Sequence, residues 1–178
     1  MKKKLIERVT VGSGGAASIT FSDIPDTYTD LYLVVSSRSS SVQGAGNPNN
    51  ILYLQLNGSS ANFSRRVLQG SGSSTASFSF GDGFMGYNTG SDMTANTFGN
   101  TSIYIPNYRS SVAKSISVDS VSENNATYSM QNITASLWNN NAAITSLALN
   151  NVTGNFVEFS SASLYGIVRG SDGTTTVS

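Results

Sequence analysis

Apolar and polar positions alternate along most of this chain with a period of two, the period of a β-strand whose side chains point to opposite faces. Leu5, Glu7, Val9 and Val11 alternate with Ile6, Arg8 and Thr10. Ile19 and Phe21 alternate with Ser18, Thr20 and Ser22. Leu31, Leu33 and Val35 share one face, and Tyr32, Val34 and Ser36 the other. Leu52, Leu54 and Leu56 repeat the pattern and run into Asn57-Gly58, a dipeptide suited to a tight hairpin turn. Further strands are expected over 63–69, 76–80, 102–105, 114–122, 128–137, 144–150, 155–159 and 163–168.

No stretch keeps a helical period for three turns, and β-branched and aromatic residues fill the short runs. Turn formers cluster at 44–50, 70–74, 81–99, 123–127 and 139–141. About a dozen short strands separated by such turns predict an all-β protein: an antiparallel two-sheet sandwich, jelly-roll-like. The length suits a single β-sandwich domain over 1–178, with a short N-terminal arm at about 1–8 and a flexible C-terminal tail at about 169–178. The expected core comprises Phe21, Leu31, Leu33, Val35, Leu52, Leu54, Leu56, Ile116, Val118, Trp138, Leu147, Leu149, Leu164 and Ile167.

Charge changes the picture by its scarcity. Charged residues make up 11% of the chain, with ten basic residues against ten acidic ones. So balanced a chain offers no field that would select nucleic acid or an anionic membrane as partner. Ser, Thr and Asn, together more than a third of the residues, must supply the polar surface. Such a surface suits a protein displayed in many copies, and equally a secreted domain. Met1-Lys2-Lys3-Lys4-Leu5-Ile6 starts like a signal peptide, but the apolar stretch stops after two residues. The expected site of folding is therefore the cytoplasm.

The candidate chemistry is sparse. The chain has no cysteine and no histidine. It thus lacks thiolate chemistry, the commonest general base and the commonest metal ligand. A serine nucleophile would need a lysine base, and Lys2, Lys3, Lys4 and Lys114 have no motif around them. Asp23, Asp26 and Asp30 crowd one connection, but their spacing fits no calcium loop, and aspartate is common at turns. Gly12-Ser13-Gly14-Gly15 and Gly70-Ser71-Gly72 lack the lysine and helix of a phosphate loop. The expectation is no enzyme, no cofactor and no metal site.

Two features remain as candidate contact elements. Lys2, Lys3 and Lys4, with Arg8 behind them, form the only charge cluster. They read either as a solvated start or as an arm docking on an acidic surface. The stretch 81–99 holds five glycines together with Phe84, Met85 and Tyr87. It reads either as a surface loop packed on its own aromatics or as a contact loop between subunits. Arg65-Arg66 lies in a strand, so its two side chains must face opposite ways.

Some of these segments, in this order, are familiar. Phe21-Ser22-Asp23-Ile24-Pro25-Asp26-Thr27-Tyr28-Thr29-Asp30-Leu31 precedes a strand ending in Ser36-Ser37-Arg38. Leu56-Asn57-Gly58 and Asn62-Phe63-Ser64-Arg65 follow, then Ile105-Pro106-Asn107-Tyr108. Trp138, Ala143-Ile144-Thr145-Ser146-Leu147 and Ser163-Leu164-Tyr165-Gly166-Ile167 close the series. The succession resembles a family of virion structural proteins from tailed phages, especially phages of aquatic bacteria. The resemblance implies a jelly-roll-type module used as a head decoration (cement) protein, or in tail fibres and baseplates as a receptor- or glycan-binding module. It implies as partners other copies of the chain, as a homotrimer or other cyclic oligomer, and the major capsid protein or another virion protein. It places the protein in the virion after synthesis in the host bacterium, and it carries no catalytic residues onto this sequence.

Overall fold

The computed structural model describes residues 2–42, 50–123, 125 and 129–168. Among them there is no helix, and twelve strands account for most of the chain. They are β1 Lys2–Thr10, β2 Ser18–Phe21, β3 Asp30–Ser37, β4 Ile51–Leu56, β5 Phe63–Gly70 and β6 Thr75–Phe80. They continue as β7 Phe84–Tyr87, β8 Gly99–Ile105, β9 Lys114–Val121, β10 Gln131–Trp138, β11 Leu147–Asn151 and β12 Ser161–Val168. The expected tail at 169–178, the strand start at Tyr128 and much of the turn stretches at 44–50 and 123–127 lie outside the described residues.

The strands form two antiparallel sheets, one of eight in the order β1-β12-β3-β8-β9-β10-β5-β6 and one of four in the order β2-β11-β4-β7. From β2 onward the chain steps back and forth between them. β2, β4, β7 and β11 lie in the small sheet, while β3, β5–β6, β8–β10 and β12 lie in the large one. In the large sheet the hairpin β8–β9 lies between β3 and β10. The all-β, two-sheet sandwich expected from the alternation is the observed fold.

Alternation sets what lies between the sheets. β4 buries Leu52, Leu54 and Leu56 completely, and β3 does the same with Leu31, Leu33 and Val35. All fourteen expected core residues are buried. Full burial of each leucine contributes about 1.5–3 kcal/mol, which makes this central slab the main source of stability. A second cluster of Val67, Phe84, Tyr87 and Met130 lies towards the β5–β6 end, with Ile51 and Phe78 against it.

Local chemistry explains the breaks. Ile24-Pro25 separates β2 from β3, as expected from proline's missing N–H. Asn57 and Gly58 both take positive φ (51° and 73°), and reciprocal Leu56–Ser59 bonds of 3.0 Å close the turn. The strands flanking this turn do not pair, since the chain crosses from the small sheet to the large one. Asn57 instead bonds sideways, its Oδ1 accepting from Thr145 N at 2.9 Å and its Nδ2 donating to Ala143 O at 2.8 Å.

Two expected elements differ. Residues 155–159 form no strand; Phe156 makes isolated bridges to Ala16 and Ser39, and Phe159 is exposed. The expected long loop 81–99 contains β7, which pairs with β4 as an edge of the small sheet.

Candidate binding surface

Ten cations are few for a chain of this size, and among the described residues three are inside. Arg38, at the end of β3, donates from Nη1 to Thr94 O (2.9 Å) and Thr97 O (3.0 Å) and from Nη2 to Met93 O (3.1 Å). It folds the 91–97 loop around its guanidinium. Lys114, 1% exposed at the start of β9, donates to Ala142 O (2.6 Å), Ser110 O (2.8 Å) and Asn140 O (3.3 Å). It ties two loops at one end of the sandwich, and burial pushes its pKa down. Arg65 is the inward half of the Arg65-Arg66 pair, while Arg66 is exposed. Arg65 meets Asp82 through Nε (2.6 Å) and Nη2 (3.0 Å), and its guanidinium lies 4.0 Å from the Phe84 ring centroid and 4.8 Å from that of Phe80. Asp82 also accepts from Tyr53 Oη at 3.1 Å. Each buried cation is thus taken up by loop carbonyls or by one carboxylate and aromatic faces.

Three tyrosines have pKa values raised above the ordinary 10.0. Burial is the largest cause for each, helped by Asp82 beside Tyr53, by Asp30 beside Tyr104 and by Asp26 near Tyr108. The unfolded chain ionises these phenols near pH 10, so the stability they contribute is present below that pH and lost as pH rises above it. Lys114 works oppositely. Its depressed folded pKa makes stability rise with pH on the approach to 10.5. With three phenols against one ammonium, the urea midpoint should fall between pH 10 and 11.5, and less steeply in Tyr108→Phe. A midpoint flat to pH 11.5 would contradict the burial described.

The exposed chemistry is concentrated on the outer face of the eight-stranded sheet. Cross-strand register lines up two rows there. One runs Leu5, Tyr165, Tyr32, Tyr104, Ser117, Ala135, Arg66, Ser79. The other runs Arg8, Ser163, Val34, Ser102, Asp119, Ile133, Leu68, Ser77. At the β1 end the three tyrosines are half-buried. Lys3 Nζ stands 3.4 Å above the Tyr32 ring, and Tyr104 Oη donates to Asp30 at 3.0 Å. At the β5–β10 end Leu68 and Ile133 oppose each other at 56% and 57% exposure, with Ala135 and Leu137 beside them.

The aliphatic end arises from an inverted strand. In β10 the buried phase is Asn132, Thr134, Ser136 and Trp138, and the exposed phase includes Ile133, Ala135 and Leu137. Trp138, at 1% exposure, and the pairing with β5 and β9 fix this phase, because a slip of one residue would flip every side chain. Asn132, Thr134 and Ser136 have side-chain polar atoms with no partner among the described residues, and so does the Trp138 indole N–H. Burying such groups without a partner costs stability.

The contact residues expected from sequence separate into two groups. Lys2, Lys3, Lys4 and Arg8 are exposed, but residues 2–10 are paired along β12 as an edge strand with one bulge between Leu5 and Glu7. Phe84, Met85 and Tyr87 are interior residues of β7, at 0%, 0% and 6% exposure, and belong to the subunit core. Their apolar run is buried on both faces of a short strand, which removes the alternation that marks other strands. Leu68, Ile133 and Leu137 were not expected as surface residues. The available signal was Val67-Leu68, two adjacent apolar residues in a strand, of which one must point outward. Comparison of the chain with protein families, curated proteins and solved structures finds no match.

Proposed function

We propose that this chain is a non-enzymatic structural protein of a phage virion, a decoration or cement protein that docks on the outside of the head through the outer face of its eight-stranded sheet. The observation that carries the reading is β10, which turns Ile133 and Leu137 to the outside beside Leu68 and keeps unpartnered polar groups inside. An exposed apolar patch set on a rigid sheet suits a binding surface. The resemblance to tailed-phage virion proteins supplies the particle. The physical role is mass action, since a ligand that binds only the assembled lattice stabilises it by about 2.7 kcal/mol at a hundred times its Kd.

A second reading is favoured by the other end of the same face. Tyr165, Tyr32 and Tyr104, with Lys3 and Asp30, place aromatic, cationic and carboxylate groups together, as a receptor- or glycan-binding module of a tail fibre or baseplate would require. The test uses phage heads assembled without the protein. Added protein should cosediment with them in hundreds of copies and raise their melting temperature. Ile133→Lys with Leu68→Lys should abolish both effects while circular dichroism stays unchanged. Binding to glycans lost in Tyr32→Ala, with no binding to heads, would replace the first reading by the second.

A further inference from the structure

The two edges of the large sheet carry opposite chemistry. β1 presents Lys2, Lys3, Lys4 and Arg8 and contains a bulge, both of which discourage another strand from adding on. β6, Thr75-Ala76-Ser77-Phe78-Ser79-Phe80, has no charge, no proline and no break in its ladder with β5. Five of its six residues are exposed, and β5 is its only strand partner among the described residues. The turn bond from Ser71 N to Ser74 O, 3.0 Å, sets the alternation of the hairpin. By that alternation Ala76, Phe78 and Phe80 exchange backbone bonds with β5, while Thr75, Ser77 and Ser79 turn N–H and C=O to the free edge.

We propose that β6 is a self-association edge, and that its occupant is β6 of a second copy, paired antiparallel about a two-fold axis. The absence of charge selects this occupant. No charged residue occurs from Gly70 to Gly81, so a copy meets no repulsion there, whereas β1 against β1 would oppose cations. A foreign strand has no charge on this edge to steer by. Antiparallel pairing also keeps Phe78 and Phe80 of both copies on one side of the joined sheet. With Ser77 paired to Ser79 of the copy, Phe78 would meet its counterpart at the axis, and Phe80, 56% exposed, would cover Ala76 of the copy. Six residues a side make a weak pair in dilute solution, which strengthens where many copies are held close together.

The inference goes beyond the proposed function, and its test needs no particle. Sedimentation equilibrium of the wild-type chain from 10 µM to 1 mM should show a monomer–dimer equilibrium. Ser79→Lys should raise the dimer Kd at least tenfold, as should Ser77→Pro, whose lost N–H faces the free edge. Circular dichroism should show both variants folded, and Arg66→Ser should leave the Kd unchanged. A monomer throughout the range, a trimer, or a dimer untouched by Ser79→Lys would overturn the proposal. Loss of the dimer with head binding intact would leave the docking face standing, and the reverse result would leave the edge standing.

Discussion

Replacing Gly86 by alanine should cost about 3–5 kcal/mol, from overpacking of roughly 1–3 kcal/mol and backbone strain of a similar size. Gly86 lies in β7 at φ 134°, where side chains are rarely tolerated, and a Cβ there would come within 2.0 Å of Ser120 Oγ and 2.3 Å of Ser120 Cβ. β7 packs across β9 at this point, so neither backbone has room to withdraw. For a domain of this size the melting temperature should fall by roughly 6–20 °C. Ser120→Gly in the same chain should recover the steric part and leave the strain, a coupling of about 1–3 kcal/mol in a double-mutant cycle. Strict additivity in urea denaturation would show that the two residues do not face each other.

Arg38→Met should be the other severe substitution, at about 3 kcal/mol or more, since bonds from a charged donor contribute about 1.5–3 kcal/mol and their loss strands part-buried carbonyls. The guanidinium reaches Thr94, Thr97 and Met93 from one planar fork. Arg38→Lys should rescue little, because three donors around one nitrogen cannot span those positions. The damage should start locally, with amide protection over 88–98 lost before global unfolding. Arg66→Met, on the exposed face of β5, should stay within about 0.5 kcal/mol. Equal effects at the two arginines would remove Arg38 from its role as organiser of the loop.

These two positions also mark how far sequence reading reaches. Alternation located the slab of Leu31, Leu33, Leu52, Leu54 and Leu56, because leucine recurs there at every second position with Tyr32, Tyr53 and Gln55 between. It missed β7, where Phe84-Met85-Gly86-Tyr87 is buried throughout and no polar partner marks the period. It could not set the phase of β10, since Ile133, Ala135 and Leu137 alternate as regularly as an inward row would, and only Trp138 with the neighbouring strands decides the face. Arg38, Arg65 and Lys114 look like surface residues in sequence. Their partners are backbone carbonyls or a carboxylate brought from other segments, and no spacing records those. The outer-face rows combine residues from all eight strands, so the proposed docking surface has no linear motif.

The place of β12 carries a consequence for the making of the protein. Although it comes last among the strands, it lies between β1 and β3, near the start of the chain. β1 therefore waits for its one strand neighbour among the described residues until the ribosome has produced the 150 residues from Val11 to Ser160. At roughly 5–20 residues per second that delay is about 8–30 s, far longer than hairpin formation. Until then β3 and β6 are the two flanks of the large sheet, and β1 has no strand in it to pair with. The exposed lysines that begin β1 give it charge while it lacks that partner, and β12, once made, supplies the ladder to β1 and to β3 alike.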